Sequence, residues 1–143
     1  MIPKASFGTF YKITMSLSVN ESTFNAEVLR SPIPVLIHFW APWCGLCRMI
    51  EPLLQSFQSE WEGQVRLVSV NADDNLKLAN HFRLTTLPTL VVVQNGETCY
   101  RLESFRGRDD LRVALDAWMQ SLSLTDYRLA TGRIPYQGLS IPE

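Results

Sequence analysis

The chain has 143 residues, enough mass for one domain with a proper core. It is 46% hydrophobic and 19% charged, as a globular protein is, and its formal charge of −1 leaves no basic footprint for nucleic acid. No apolar run approaches the ~20 residues of a membrane-spanning helix.

Residues 1–15 have no clear period, read as an N-terminal extension, and lack the apolar core of a signal peptide. Residues 20–29 predict a short helix with Ser22 as N-cap ahead of Phe24, Val28 and Leu29, ended by Ser31-Pro32-Ile33-Pro34. Residues 35–40 are continuously apolar apart from His38, the pattern of a central buried strand. Residues 48–61 predict a helix burying Met49, Ile50, Leu53, Leu54, Phe57 and Trp61, kinked at Pro52. A second core strand is expected at 65–70, and a helix at 73–82 carrying Leu76, Leu78, Ala79 and Phe82. Strands at 89–93 and 98–102 flank Asn95-Gly96, a strong hairpin signal. A final amphipathic helix at 109–122 turns Leu111, Leu115, Trp118 and Leu122 inward. The fold class is therefore α/β, a mixed central sheet with helices on both faces. Residues 123–143 form a C-terminal extension that Tyr127, Leu129, Ile134, Tyr136 and Leu139 would pack against the body.

The chemistry concentrates in Trp40-Ala41-Pro42-Trp43-Cys44-Gly45-Leu46-Cys47-Arg48. Two cysteines separated by two residues, between a strand and a helix, are built for disulfide exchange. Thiolate is the nucleophile, and a helix N-terminus lowers the pKa of a thiol placed there. Cys44 is expected as the first, exposed residue of the helix and the attacking group. Cys47 is expected deeper, as the resolving thiol. Structural zinc normally needs two such pairs, and no second one is present, so no metal is expected.

With those motifs in place, the chain resembles the thioredoxin family over residues 16–122. The stretch 40–48 matches the family signature Trp-Ala-x-Trp-Cys-Gly-Pro-Cys-Lys except for Leu46 and Arg48. Leu87-Pro88-Thr89 stands at the family's cis-proline loop and Asn95-Gly96-Glu97 at its hairpin turn. The resemblance implies the thioredoxin fold, a domain at 16–122 between extensions 1–15 and 123–143, and a substrate surface at Trp43, Gly45, Leu46, Leu87, Pro88 and Ser104. It implies a redox-active Cys44–Cys47 disulfide with no bound cofactor, protein disulfide substrates, and a thioredoxin-reductase-type electron donor, NADPH- or ferredoxin-linked. Asp73 matches a family aspartate near the active-site tryptophan.

Four departures matter. His38 stands where the family has a buried aspartate that takes the proton of the resolving cysteine; a neutral His38 could accept the same proton. Ser69 replaces the lysine that approaches that aspartate, so acid and base are lost together. Leu46 restores a backbone N–H that proline lacks, which favours thiolate and makes the couple less reducing than thioredoxin's roughly −270 mV. Ser104 replaces a groove glycine and would narrow the substrate range. The paired loss of the buried acid and lysine, with Leu46, looks like an atypical cyanobacterial thioredoxin class.

The expected function is a thiol–disulfide oxidoreductase with His38 as candidate proton acceptor. The alternative is a thioredoxin-fold redox sensor or binding module with little general reductase activity. Three cysteines, one unpaired by spacing, suit a reducing compartment. The expected location is the cytoplasm, or an organelle stroma if a transit peptide has been removed. Nothing demands more than a monomer, or a membrane or nucleic-acid partner. Cys99 reads as a small packed residue, His81 as solvated.

Overall fold

The computed structural model describes the backbone of residues 16–130 and the side chains of 16–121. Both ends expected as extensions therefore fall largely outside the described residues. Among the described residues, five strands form one sheet: β1 (Leu17–Ser18), β2 (Val35–Trp40), β3 (Arg66–Asn71), β4 (Thr89–Gln94) and β5 (Glu97–Leu102). Their spatial order is β1-β3-β2-β4-β5. β3 runs parallel to β1 and β2, while β4 is antiparallel to β2 and β5. The helices are α1 (Gly45–Glu60), α2 (Leu76–His81) and α3 (Arg108–Ala130). The mixed sheet with helices is the architecture the sequence predicts, and β1 is an addition to it.

β2 holds the centre of the sheet because nearly all of it is buried. Val35, Ile37 and Phe39 face one way, into a cluster with Val68, Val70, Val91, Phe24 and Phe82. Leu36 faces the other way, with Leu67, Leu90 and Val92, under Ile50, Leu54 and Phe57 of α1 and Leu111, Leu115 and Trp118 of α3. Each fully buried large apolar side chain contributes roughly 1.5–3 kcal/mol. The β4–β5 hairpin turns at Asn95 (φ 55°) and Gly96 (φ 80°), the positive-φ pair that a two-residue hairpin requires.

Several local expectations are corrected. The segment before β2 is a single π-type turn, Asn25–Leu29, closed by Arg30 N–H donating to Asn25 O at 3.0 Å. Its entry is organised by Asn20 rather than Ser22: Asn20 Oδ1 accepts from the backbone N–H groups of Ser22 at 2.8 Å and Thr23 at 3.0 Å. α1 begins at Gly45 and passes through Pro52, which cannot bond the carbonyl four residues back. Met49 is exposed, because it lies on the solvent side of the stripe formed by Ile50, Leu54 and Phe57. α2 starts at Leu76, after a turn through Asp73 and Asp74, and leaves Leu76 exposed while Leu78 and Phe82 are buried. α3 is longer than the apolar pattern suggests, running to Ala130. Leu122 and the proposed packing residues Tyr127, Leu129, Ile134, Tyr136 and Leu139 lie outside the described side chains.

Candidate active site

β2 delivers the chain to its C-terminal edge at Trp40, and a turn closed by Cys44 N–H donating to Ala41 O at 3.0 Å aims it into α1. Cys44 is the N-cap of α1 rather than its first helical residue as expected, with extended backbone angles of φ −90° and ψ 106°. Its Sγ accepts from the Cys47 backbone N–H at 3.1 Å, doing what a serine or aspartate oxygen does at a helix start. The N–H groups of the first helical turn have no acceptor within the helix and carry its positive dipole end. Sulfur at this cap is therefore stabilised as thiolate. Leu46 is the second helical residue, so its N–H is one of those donors.

Cys44 and Cys47 are joined as a disulfide, with Cα atoms 5.3 Å apart. Cys44 is 5% exposed, not the open residue expected, and Cys47 is 2% exposed. Beside Cys44 the backbone is nevertheless bare: Gly45 is exposed, and a Cβ there would meet nothing within 4 Å. Trp43 is 67% exposed, and its indole N–H donates to Asp73 Oδ2 at 3.0 Å, which brings the matched aspartate to the tryptophan as the resemblance implies. Arg48 donates to the Pro42 carbonyl, tying the first turn of α1 to the approach loop. Leu46 is half-buried and packs on the Leu36–Leu54 cluster.

The Leu87–Pro88 peptide bond is cis, as the resemblance implies. Leu87 packs against the apolar cluster of Phe39 and Phe82, and Pro88 is buried. Ser104 is exposed in the loop after β5; among the described residues, no hydrogen bond or shared cavity joins it to the cysteine pair. Cys99 is half-buried, its thiol pKa is pushed up by desolvation, and its Sγ–H donates weakly to Gln94 Oε1 at 3.8 Å. His81 is exposed, as expected.

His38 is 1% exposed. In the β2–β3 register it stands directly opposite Ser69, so the two departures from the family pattern are neighbours on one face of the sheet. Both line a cavity of about 230 Å³ together with Cys47, Trp40, Arg48 and Glu51. Glu51 escapes the motif reading. Its Oε1 lies 3.2 Å from His38 Nδ1, off the direction of the ring N–H, so the contact is an ion-pair approach and not an aligned hydrogen bond. The His38 interaction is the main cause holding the Glu51 carboxyl below its usual pKa, against the opposing effect of burial. The signal was present in the sequence: Glu51 is four residues after Cys47 and therefore on the same side of the helix.

The family model for thioredoxin matches residues 15–117. The chain belongs to the thioredoxin family. It is 40% identical over 85 residues to "Thioredoxin 1" of Nostoc sp., covering 59% of this chain and 79% of that one. It is 42% identical over 81 residues to "Thioredoxin" of Haemophilus influenzae, covering 57% and 76%. It is 38% identical over 82 residues to "Thioredoxin M-type, chloroplastic" of Chlamydomonas reinhardtii, covering 57% and 59%. With the bonded cysteine pair at a helix cap, this membership makes the protein a thiol–disulfide oxidoreductase. No helix among the described residues is long and apolar enough to cross a membrane.

Proposed function

We propose that the chain is a protein-disulfide reductase in which Cys44 attacks, Cys47 resolves, and His38 accepts the Cys47 proton. Cys44 thiolate attacks one sulfur of a substrate disulfide, and the other leaves as thiolate and is protonated by solvent. Cys47 then loses its proton to His38 and attacks Cys44 Sγ. The Cys44–substrate bond breaks, and the second substrate thiol is released. The electron pair now resides in the Cys44–Cys47 bond, so no prosthetic group is required. The observation that carries the assignment of His38 is the cavity it shares with Cys47. Ser69, with no charge of its own, is the only residue opposite His38 on β3 in the register.

The partner would lie over Trp43, the bare backbone at Gly45, Leu46 and the Leu87–Pro88 loop. A peptide strand pairing with exposed backbone there follows the general mode of strand addition. Ser104 would restrict which strands fit. Electrons come from a reductase, NADPH- or ferredoxin-linked, in a reducing compartment, and the protein acts as a monomer. The working domain is residues 16–122, with the extensions on either side.

The test is turnover of a generic protein disulfide, with a chemical dithiol as electron source, for the wild type, Cys44→Ser and His38→Ala. Activity is expected in the wild type and lost in Cys44→Ser. His38→Ala is expected to be slower with an altered pH–rate profile; an unchanged profile in folded His38→Ala removes histidine from the reaction. A folded, inactive wild type with a reducible disulfide would instead establish the sensor or binding module.

A further inference from the structure

The geometry points to Glu51 as a positioning residue that orients His38 as the base for Cys47 and connects it to solvent. This rests on the assignment of His38 as proton acceptor. A buried imidazole that takes a proton becomes a cation where water cannot solvate it, and an uncompensated buried charge is costly. Among the described residues, Glu51 is the only carboxylate lining the cavity, and it stands 3.2 Å from His38 Nδ1. Its other oxygen is held separately: Oε2 accepts from Gln55 Nε2 at 3.1 Å and from Ser16 Oγ at 3.4 Å. Those two contacts engage Oε2 and leave Oε1 directed toward the ring. The contact of Oε1 with Nδ1 is an ion-pair approach and not an aligned hydrogen bond, so it acts on the ring through charge: a carboxylate beside Nδ1 favours the neutral ring's proton on that nitrogen and leaves the lone pair on Nε2.

Exposure supports the second half of the inference. The His38 side chain is 2% exposed and that of Glu51 33%, so the pair spans from sealed interior to surface. The cavity is large enough to admit water along that route. In the resolving step the Cys47 S–H bond breaks and its proton moves through water in the shared cavity to Nε2, which no described side chain bonds. The sulfur's electron pair forms the Cys44–Cys47 bond, and the Cys44–substrate bond breaks with its pair on the substrate sulfur. That sulfur takes a proton from solvent, and His38 returns its own to water past Glu51. The substrate disulfide is the oxidant, so the balance closes. The other charged or titratable groups lining the cavity are Cys47 and Arg48; the guanidinium is the only fixed positive charge there, and it favours thiolate.

The experiment is single-turnover resolution of a Cys44 mixed disulfide, followed across the neutral pH range, in the wild type, Glu51→Gln, His38→Ala and the double variant. Glu51→Gln keeps the side-chain shape at a partly exposed site; Glu51→Ala, a strong helix former, gives the same readout should Gln fail to fold. Glu51→Gln is expected to slow resolution about tenfold, the scale of losing a histidine's outer partner, and to move the acid limb of the profile to lower pH. Glu51→Asp is expected to recover part of that movement. In the His38→Ala background the Glu51 substitution is expected to add nothing. If His38→Ala slows resolution while Glu51→Gln leaves rate and profile unchanged, Glu51 has no such role and His38 keeps its own. If Glu51→Gln slows His38→Ala further by the same factor, Glu51 acts without the histidine and the inference is overturned. If His38→Ala itself leaves the profile unchanged, both assignments fall together.

Discussion

The two faces of β2 are buried to nearly the same degree but hold different chemistry. Val35, Ile37 and Phe39 enter a wholly apolar cluster closed by Phe24 and Phe82. On the opposite face the row runs Leu36, His38, Trp40: it starts in an apolar cluster under α1 and α3 and ends in a cavity lined by Cys47, Glu51 and Ser69. One strand therefore supplies a rigid wall on one side and a proton-handling site on the other. The alternation of side chains keeps the two from mixing, since a residue cannot change face without a register slip. Stability and reactivity should separate accordingly.

Substitutions on the apolar face should cost the most. Phe39 is fully buried and contacts the Phe82 ring, with centroids 5.2 Å apart. Phe39→Ala is expected to lose about 3–5 kcal/mol of unfolding free energy, a large share of a typical domain's margin. Denaturant titration measures this, and turnover per folded molecule should stay near that of the wild type. Loss of turnover in fully folded protein would show that the two faces are not separate.

His38→Leu is the converse. It replaces a buried polar ring by an apolar side chain and leaves Glu51, one-third exposed, free to be hydrated. Removing one partner of a pair is costly where the other stays buried, but here the carboxylate left behind reaches water, so the loss should be small. The expected outcome is a change below about 1.5 kcal/mol together with a fall in turnover of roughly 10²-fold, the low end of general-base contributions. The same two measurements check it; a strongly destabilised His38→Leu with normal turnover would make His38 a structural residue.

How much of this division was legible depended on spacing. The strands, the hairpin and the apolar stripe of α1 follow from periodicity, and Cys44 and Cys47 from their separation. The matched positions drew attention to His38 and Ser69, and the parallel register explains why they depart together. Other features are tertiary. Met49 and Leu76 fit an apolar pattern but lie at the edge of the stripe, and only the packing partners decide which edge is buried. Asn20, not Ser22, organises the turn before β2 because its side chain reaches two backbone donors at once. Cys44 is more covered than a nucleophile at a helix start suggests. The spacing puts Glu51 on the Cys47 side of α1, but its approach to His38 is visible only once β2 is laid beneath the helix.

A smaller effect belongs to the rim of the site. Leu46 contributes a free N–H to the first turn of α1, beside the sulfur that caps it. Proline is tolerated in a first turn, so Leu46→Pro removes this donor without breaking a helical bond. The expected result is a more reducing couple, by on the order of tens of mV, where 30 mV is about 1.4 kcal/mol. Equilibration against glutathione measures it. An unchanged potential would mean that the donor does not reach the thiolate and that Leu46 acts through its apolar contact alone.

The finest separation lies within the polar face and concerns pH. The Glu51 carboxyl titrates below its ordinary value of 4.5, chiefly because of His38, with Gln55 and Ser16 adding to the effect against burial. A carboxyl whose pKa is depressed on folding stabilises the native state fully above its unfolded value. That contribution is lost as pH falls from about 4.5 through the lower folded value. Glu51→Gln has no such proton to bind, so its unfolding free energy should fall less steeply over that acid window. Above the window the variant should be the less stable of the two, and toward low pH the two curves should converge. Urea titrations at a series of pH values compare them. Parallel curves would mean that the carboxylate interacts equally in the folded and unfolded chains, and the 3.2 Å approach to His38 would then contribute nothing to stability. Convergence, with the neutral-pH rate loss of Glu51→Gln seen separately, would place one carboxylate in both roles: a modest support for the fold in acid and the orienting partner of the base at neutral pH.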